Sequence, residues 1–169
     1  MTARDRLATA RQSSNLADSP DRLTDVSVLA AAGMVASSNA VGMSLMRLRD
    51  TMDRHEWPYC LSATAARARK FFAKRNDKPS EREIHDLSER ILRAWVAPTC
   101  PVCDGRGHKK IAGTPLMEDE PCGVCHGAGV LPIDYGLAGG VAEASRFVAA
   151  WLDKCAADAA HQTRLKVYG

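Results

Sequence analysis

The sequence predicts a mainly α protein: a small helical domain with a four-cysteine finger inserted between two long helices. Three observations predict it. The 169 residues are 46% apolar but only 5% aromatic, and the apolar set is rich in alanine, which favours helix over sheet. Apolar residues recur at helical spacing over about 80–97 and again over about 141–165. Between those stretches stand two copies of Cys-x-x-Cys-x-Gly-x-Gly: Cys100, Cys103, Gly105, Gly107, then Cys122, Cys125, Gly127, Gly129. The chain thus divides into a polar arm (1–22), a helical region (23–98), the finger (99–131) and a C-terminal segment (132–169) whose helix packs on the helical body.

The arm carries Arg4, Arg6, Arg11 and Arg22. These suit either an acidic partner or plain solvation. Its charged start lacks the apolar stretch of an export signal, and no run approaches the ~18 apolar residues of a membrane span. A soluble, cytoplasmic protein with reduced thiols is expected. The net charge is +3, from 23 Lys plus Arg against 20 Asp plus Glu, so the distribution of charge tells more than its sum.

Residues 24–54 are helical in character. Val26, Leu29, Ala30, Gly33 and Met34 share one spacing, and Ser37-Ser38-Asn39 breaks the run and can cap a second helix. Met43, Leu45 and Met46 supply its apolar groups, with Arg47, Arg49 and Asp50 outside. A helix-turn-helix with Gly33 at the turn fits poorly, because Leu29 and Asn39 fall at positions where a small and an apolar residue are needed. Trp57-Pro58 marks a break, and Ser62 is placed to cap a helix from Ala63 to about Arg75.

That helix is basic. Arg67, Lys70 and Lys74 form a stripe at i, i+3, i+7, with Arg69 and Arg75 alongside, and Ala65, Ala68, Phe71 and Phe72 form another stripe. From Ser62 to Lys78 Asp77 is the single acid. Such a helix suits a phosphate backbone, since Lys and Arg release condensed counterions on binding; a solvated face is the other reading. The candidate nucleic-acid contacts are Arg67, Arg69, Lys70, Lys74 and Arg75, with Lys109 and Lys110 in the finger.

Asn76-Asp77-Lys78-Pro79 reads as a turn. Ser80 to Glu83 then matches a capping box. Ile84, Leu87, Ile91, Leu92, Trp95 and Val96 follow on one helical face, and Pro98 ends the helix just before Cys100.

In the finger, eighteen residues separate Cys103 from Cys122. Cys-x2-Cys-x18-Cys-x2-Cys lies within the spacing of four-thiolate zinc sites. Cys100, Cys103, Cys122 and Cys125 are therefore the candidate ligands of one structural Zn2+, with the glycines permitting the tight turns after each pair. His108 and His126 adjoin the knuckles, either as substitute ligands or, with four thiols already filling the shell, as surface groups beside it. Arg106, His108, Lys109 and Lys110 make a basic arm of the loop, whose lysines can offset the negative thiolate site. Met117-Glu118-Asp119-Glu120 makes an acidic arm. Leu131-Pro132 closes the finger. Gly139-Gly140 precedes a last helix from about Val141 to Leu165, with Val141, Ala144, Val148, Trp151, Leu152 and Cys155 on its packed face. Cys60 and Cys155 read as core residues.

No His-Glu-x-x-His, Gly-x-x-x-x-Gly-Lys-Ser/Thr or Gly-x-Ser-x-Gly occurs, and His55, His85, His108, His126 and His161 lack ligand or triad spacing. A four-thiolate zinc has no open position for substrate. The sequence is therefore expected to be no enzyme, with no small-molecule substrate and no membrane partner.

Cys-x-x-Cys-x-Gly-x-Gly resembles the repeat of the DnaJ-type zinc-finger domain, of which this chain has two copies and no His-Pro-Asp of a J-domain. The arrangement of Cys100, Cys103, Cys122 and Cys125 between helices of about 80–97 and 141–165 is similar to the zinc-containing Q antitermination proteins of lambdoid phages. That resemblance covers the last half of the chain. It implies a factor that binds DNA near a late promoter, loads onto bacterial RNA polymerase in the host cytoplasm, and permits readthrough of terminators. The alternatives are a DnaJ-like chaperone or thiol module and a zinc-stabilised DNA-binding regulator.

Overall fold

In a computed structural model that describes residues 25–111, 113–114 and 116–168, the chain is mainly helical. Among the described residues five helices run in order: α1 (Asp25–Ser38), α2 (Ala40–Thr51), α3 (Trp57–Lys74), α4 (Glu81–Val96) and α5 (Gly139–Tyr168). A 3-10 turn, Arg54–Glu56, precedes α3, and two short strands, β1 (His108–Lys110) and β2 (Met117–Pro121), lie between α4 and α5. The arm 1–22 with its four arginines lies outside the described residues, as do the side chains of Val26 and Lys110. The described chain forms two compact units, 25–66 with 150–168, and 67–149. No helix among the described residues is long and apolar enough to cross a membrane.

In the first unit, α1 buries Val28, Ala31, Ala32 and Val35, while Met34 is 53% exposed. This is the opposite face from the expected one. Apolar residues surround α1 almost completely, so spacing alone does not select a side. Gly33 sits inside α1 and makes no turn; the break is Asn39, whose side-chain oxygen accepts the Gly42 N–H at 3.1 Å. Met43, Leu45 and Met46 are fully buried, as expected. A Cβ on Gly42 would lie 2.2 Å from the Cys155 carbonyl oxygen, so α2 and the end of α5 approach at backbone distance there. Cys60 is a core thiol, pushed up to about 12 by burial and then by the Glu56 carboxylate. Cys155 is only half-buried.

α3 begins at Trp57, earlier than Ser62. Pro58 falls in the first turn, where a missing N–H breaks no helical bond, so the Trp-Pro pair starts the helix instead of interrupting it. Its end is the expected turn: Asn76 takes φ +57°, and the Asp77 N–H reaches the Phe72 carbonyl at 3.0 Å.

In the second unit, α4 follows the capping box as read. The Ser80 hydroxyl accepts the Glu83 N–H at 3.2 Å, and the Glu83 carboxylate accepts the Ser80 N–H at 2.7 Å. Ile84, Leu87, Ile91, Leu92 and Trp95 are buried beneath it. Ser80→Ala should cost about 1 kcal/mol of stability, measured by thermal or urea unfolding. The hydrogen bonds from Ser80, side chain first, hold the Glu83 carboxyl below its usual range. Its contribution is therefore complete above the unfolded carboxylate range, and is lost as pH falls through the lowered folded value.

α5 takes Gly139 and Gly140 into its first turn and runs on to Tyr168, longer than expected at both ends. Within this unit Ala144 and Val148 are buried, but Val141 is 40% exposed. The link before α5 is held from both sides: Arg90 of α4 donates to the Tyr135 carbonyl, and Arg146 of α5 pairs with Asp134.

Candidate metal centre

The finger is closed at its base by backbone. Thr99 and Val130 form an antiparallel bridge, and the Leu131 N–H reaches the Pro98 carbonyl at 2.9 Å. The first cysteine of the centre, Cys100, thus stands three residues past Ala97, the C-terminal cap of α4. Cys100, Cys103, Cys122 and Cys125 lie inside, with their sulfur atoms all within 4.8 Å of one another. The Cys100 and Cys122 sulfurs are 4.0 Å apart, and those of Cys103 and Cys125 are 3.6 Å apart. A disulfide requires about 2.05 Å, so none is formed. Four sulfurs at about 2.3 Å from one tetrahedral ion stand about 3.8 Å from each other. The spacing therefore fits a tetrahedral ion such as zinc. All four side chains are at most 6% exposed, with Val124 and Leu131 packed against them.

The two knuckles are related by a local repeat. The Cys100 N–H bonds the Gly129 carbonyl at 2.9 Å, and the Cys122 N–H bonds the Gly107 carbonyl at 2.7 Å. The Gly107 N–H points at the Cys103 sulfur and the Gly129 N–H at the Cys125 sulfur, each at 3.3 Å. Both glycines of each copy take positive φ, between +72° and +88°. The second glycine has a further reason to be glycine. A Cβ on Gly107 would lie 2.4 Å from the Gly127 carbonyl oxygen, and one on Gly129 would lie 2.3 Å from that of Gly105. Each knuckle's last glycine rests on the other knuckle's first.

These N–H groups also act on the thiols. The Cys125 and Val124 N–H groups bring the Cys122 thiol down to about 7. Burial pushes Cys103 up, but the Gly107 N–H and the neighbouring thiols outweigh it, so it too is lowered. Burial raises Cys125 to about 11. Four thiolates so close cannot all ionise without a cation between them, and a bound divalent ion supplies that charge.

Neither His108 nor His126 enters the cluster. His126 instead takes φ +51°, matching Asp104 at +48° in the first knuckle. The two loop arms pair as β1 and β2, with His108 opposite Pro121 and Lys110 opposite Met117. Charged residues dominate both strands, so no β signal marked them in the sequence. Lys109 bonds Glu118 at 3.1 Å, so the acidic arm meets its charge.

The other basic candidates divide. Arg69 pairs with Glu81 at 2.5 Å, and Arg75 pairs with Glu143. Arg67 is half-buried, its guanidinium 4.4 Å from the centre of the Phe147 ring. Lys70 and Lys74 are exposed. The stripe is therefore not uniform, and Glu81 and Glu143, distant in sequence, offset part of its charge. Ala65, Ala68 and Phe72 are buried as expected, whereas Phe71 stays half-exposed.

A cavity of about 330 Å³ is lined mainly by apolar groups, among them Phe72, Leu87 and Leu137. Its charged liners are engaged structurally: Glu83 in the cap, Asp86 beside Arg82 and His85, and Arg90 on Tyr135. Comparison of the chain with protein-family models, curated proteins and solved structures finds no match.

Proposed function

We propose that this protein is a transcription antitermination factor, braced by one structural zinc ion, that binds DNA and bacterial RNA polymerase in the cytoplasm and permits readthrough of terminators. The closed four-cysteine cluster between α4 and α5 carries this reading, because it is the arrangement that resembles the Q antitermination proteins. Zinc is the metal of choice for four soft thiolates in a tetrahedron. With every position filled by sulfur, the ion has no site for water or substrate, so its role is structural and the protein acts by binding alone. Exposed Lys70 and Lys74 supply phosphate contacts that Arg69 and Arg75, each paired with a glutamate, supply less readily.

The test is transcription with purified polymerase on a template carrying the promoter and terminator of the genome that encodes the chain. Readthrough should rise on adding the protein, and fall back with Lys70→Glu plus Lys74→Glu. No gain in readthrough on such templates would overturn the proposal. A DnaJ-like module that holds unfolded chains is a second reading, favoured by Val102 and Leu116, apolar finger residues 51% and 64% exposed. It predicts suppressed aggregation of a denatured client, and no affinity for DNA.

A further inference from the structure

Phe71 and Phe147 build a surface feature that helical spacing does not reveal. Their ring centres are 5.2 Å apart, and both are only half-buried. A guanidinium flanks each ring: Arg67 lies 4.4 Å from the centre of Phe147, and Arg75 lies 5.4 Å from that of Phe71. The order along the surface is Arg67, Phe147, Phe71, Arg75. Arg67 and Phe71 are one turn apart on α3 and Arg75 directly follows its last residue, so exposed Lys70 and Lys74 run beside the ladder. Two acids stand at its Arg75 end: Glu143, paired with Arg75, and Asp77, 3.7 Å from the same guanidinium.

We propose that this ladder is a binding site for single-stranded nucleic acid, with unpaired bases stacking on Phe71 and Phe147 and phosphates meeting Lys70 and Lys74. Half-exposed rings interleaved with cations are the combination that single strands use. A duplex hides its base faces and can use only the lysines. Phe71 is anchored edge-on against buried Phe72, with ring centres 5.4 Å apart, while both ladder rings keep part of their surface open beside the two guanidinium groups. The inference rests on the nucleic-acid part of the proposed function and not on contact with polymerase.

Fluorescence anisotropy on the full, zinc-loaded chain tests it, with labelled dT12, a 12-base-pair duplex and a twelve-unit abasic strand. The dT12 strand should bind about tenfold tighter than either control. Phe147→Leu keeps apolar bulk but removes the π face, and should weaken dT12 about tenfold without changing its salt dependence. Lys70→Gln with Lys74→Gln should lower the salt slope by roughly 1.4. Glu143→Gln removes one of the two acids and should tighten dT12 binding several-fold, a gain that misfolding does not produce. Equal binding of dT12 and the abasic strand, or no tightening by Glu143→Gln, would overturn the proposal. Binding of dT12 without terminator readthrough sinks the antitermination reading and leaves the ladder standing. Readthrough with a Phe147→Leu protein that binds dT12 like wild type does the reverse.

Discussion

Cys103→Ser is expected to release the metal and to disorder residues 99–130. The Cys103 sulfur is fully buried, 3.6 Å from that of Cys125, and receives the Gly107 N–H. A serine oxygen is harder and does not ionise near neutral pH, so the ion keeps three thiolates. Structural zinc in finger peptides supplies roughly 10–16 kcal/mol at neutral pH. Apart from the backbone bonds at its base and between the knuckles, the segment has a two-stranded sheet of mainly charged residues, and Val124 and Leu131 against the cysteines. The α4 helix has its own capping box and buried face, and should persist. Metal content and hydrogen exchange read both effects. Cys155→Ser, which alters a half-buried thiol outside the cluster, should keep the ion. A Cys103→Ser protein with full metal content would show that the ligand assignment is wrong.

Gly107→Ala is the second large effect. Any L-residue at φ +79° costs about 1–2 kcal/mol, and here the new Cβ would also lie 2.4 Å from the Gly127 carbonyl oxygen. The knuckles must separate to admit it, and the sulfurs move with them. Gly127→Ala offers the contrast: φ is +88°, but its Cβ would meet nothing nearer than the Pro121 Cβ at 3.8 Å. Zinc competition with a chelator should show affinity falling at least about tenfold further in Gly107→Ala than in Gly127→Ala, since a further loss of 1.4 kcal/mol corresponds to tenfold. Equal losses would mean that backbone conformation alone explains the glycines.

The four-cysteine cluster was largely legible because its chemistry is local. Paired cysteines and paired glycines stand at fixed offsets, and each turn is closed by residues within a few positions. The capping box at Ser80 was legible for the same reason. What pattern did not reveal is the cross-contact of Gly107 with Gly127 and of Gly129 with Gly105, which depends on the two copies facing each other. Periodicity failed where a helix is apolar all round, as in α1, and where a proline sits in a first turn, as at Pro58. It also misjudged the basic helix. Arg69 on α3 and Arg75 just past its end look free in the sequence, yet Glu81 of α4 pairs with the first and Glu143 of α5 joins Asp77 at the second. Phe71 follows a core spacing, yet it meets Phe147 and Arg75 at the surface. Partners distant in sequence decide these cases, and one strand of spacing carries no record of them.

The most direct test is native mass spectrometry of the reduced, full chain, with its thiols counted after denaturation. One zinc ion per chain, bound to a protein whose six cysteines are all free thiols once unfolded, is the expected result. A metal-free chain that keeps the amides of the finger protected from exchange would contradict it, as would a disulfide among Cys100, Cys103, Cys122 and Cys125.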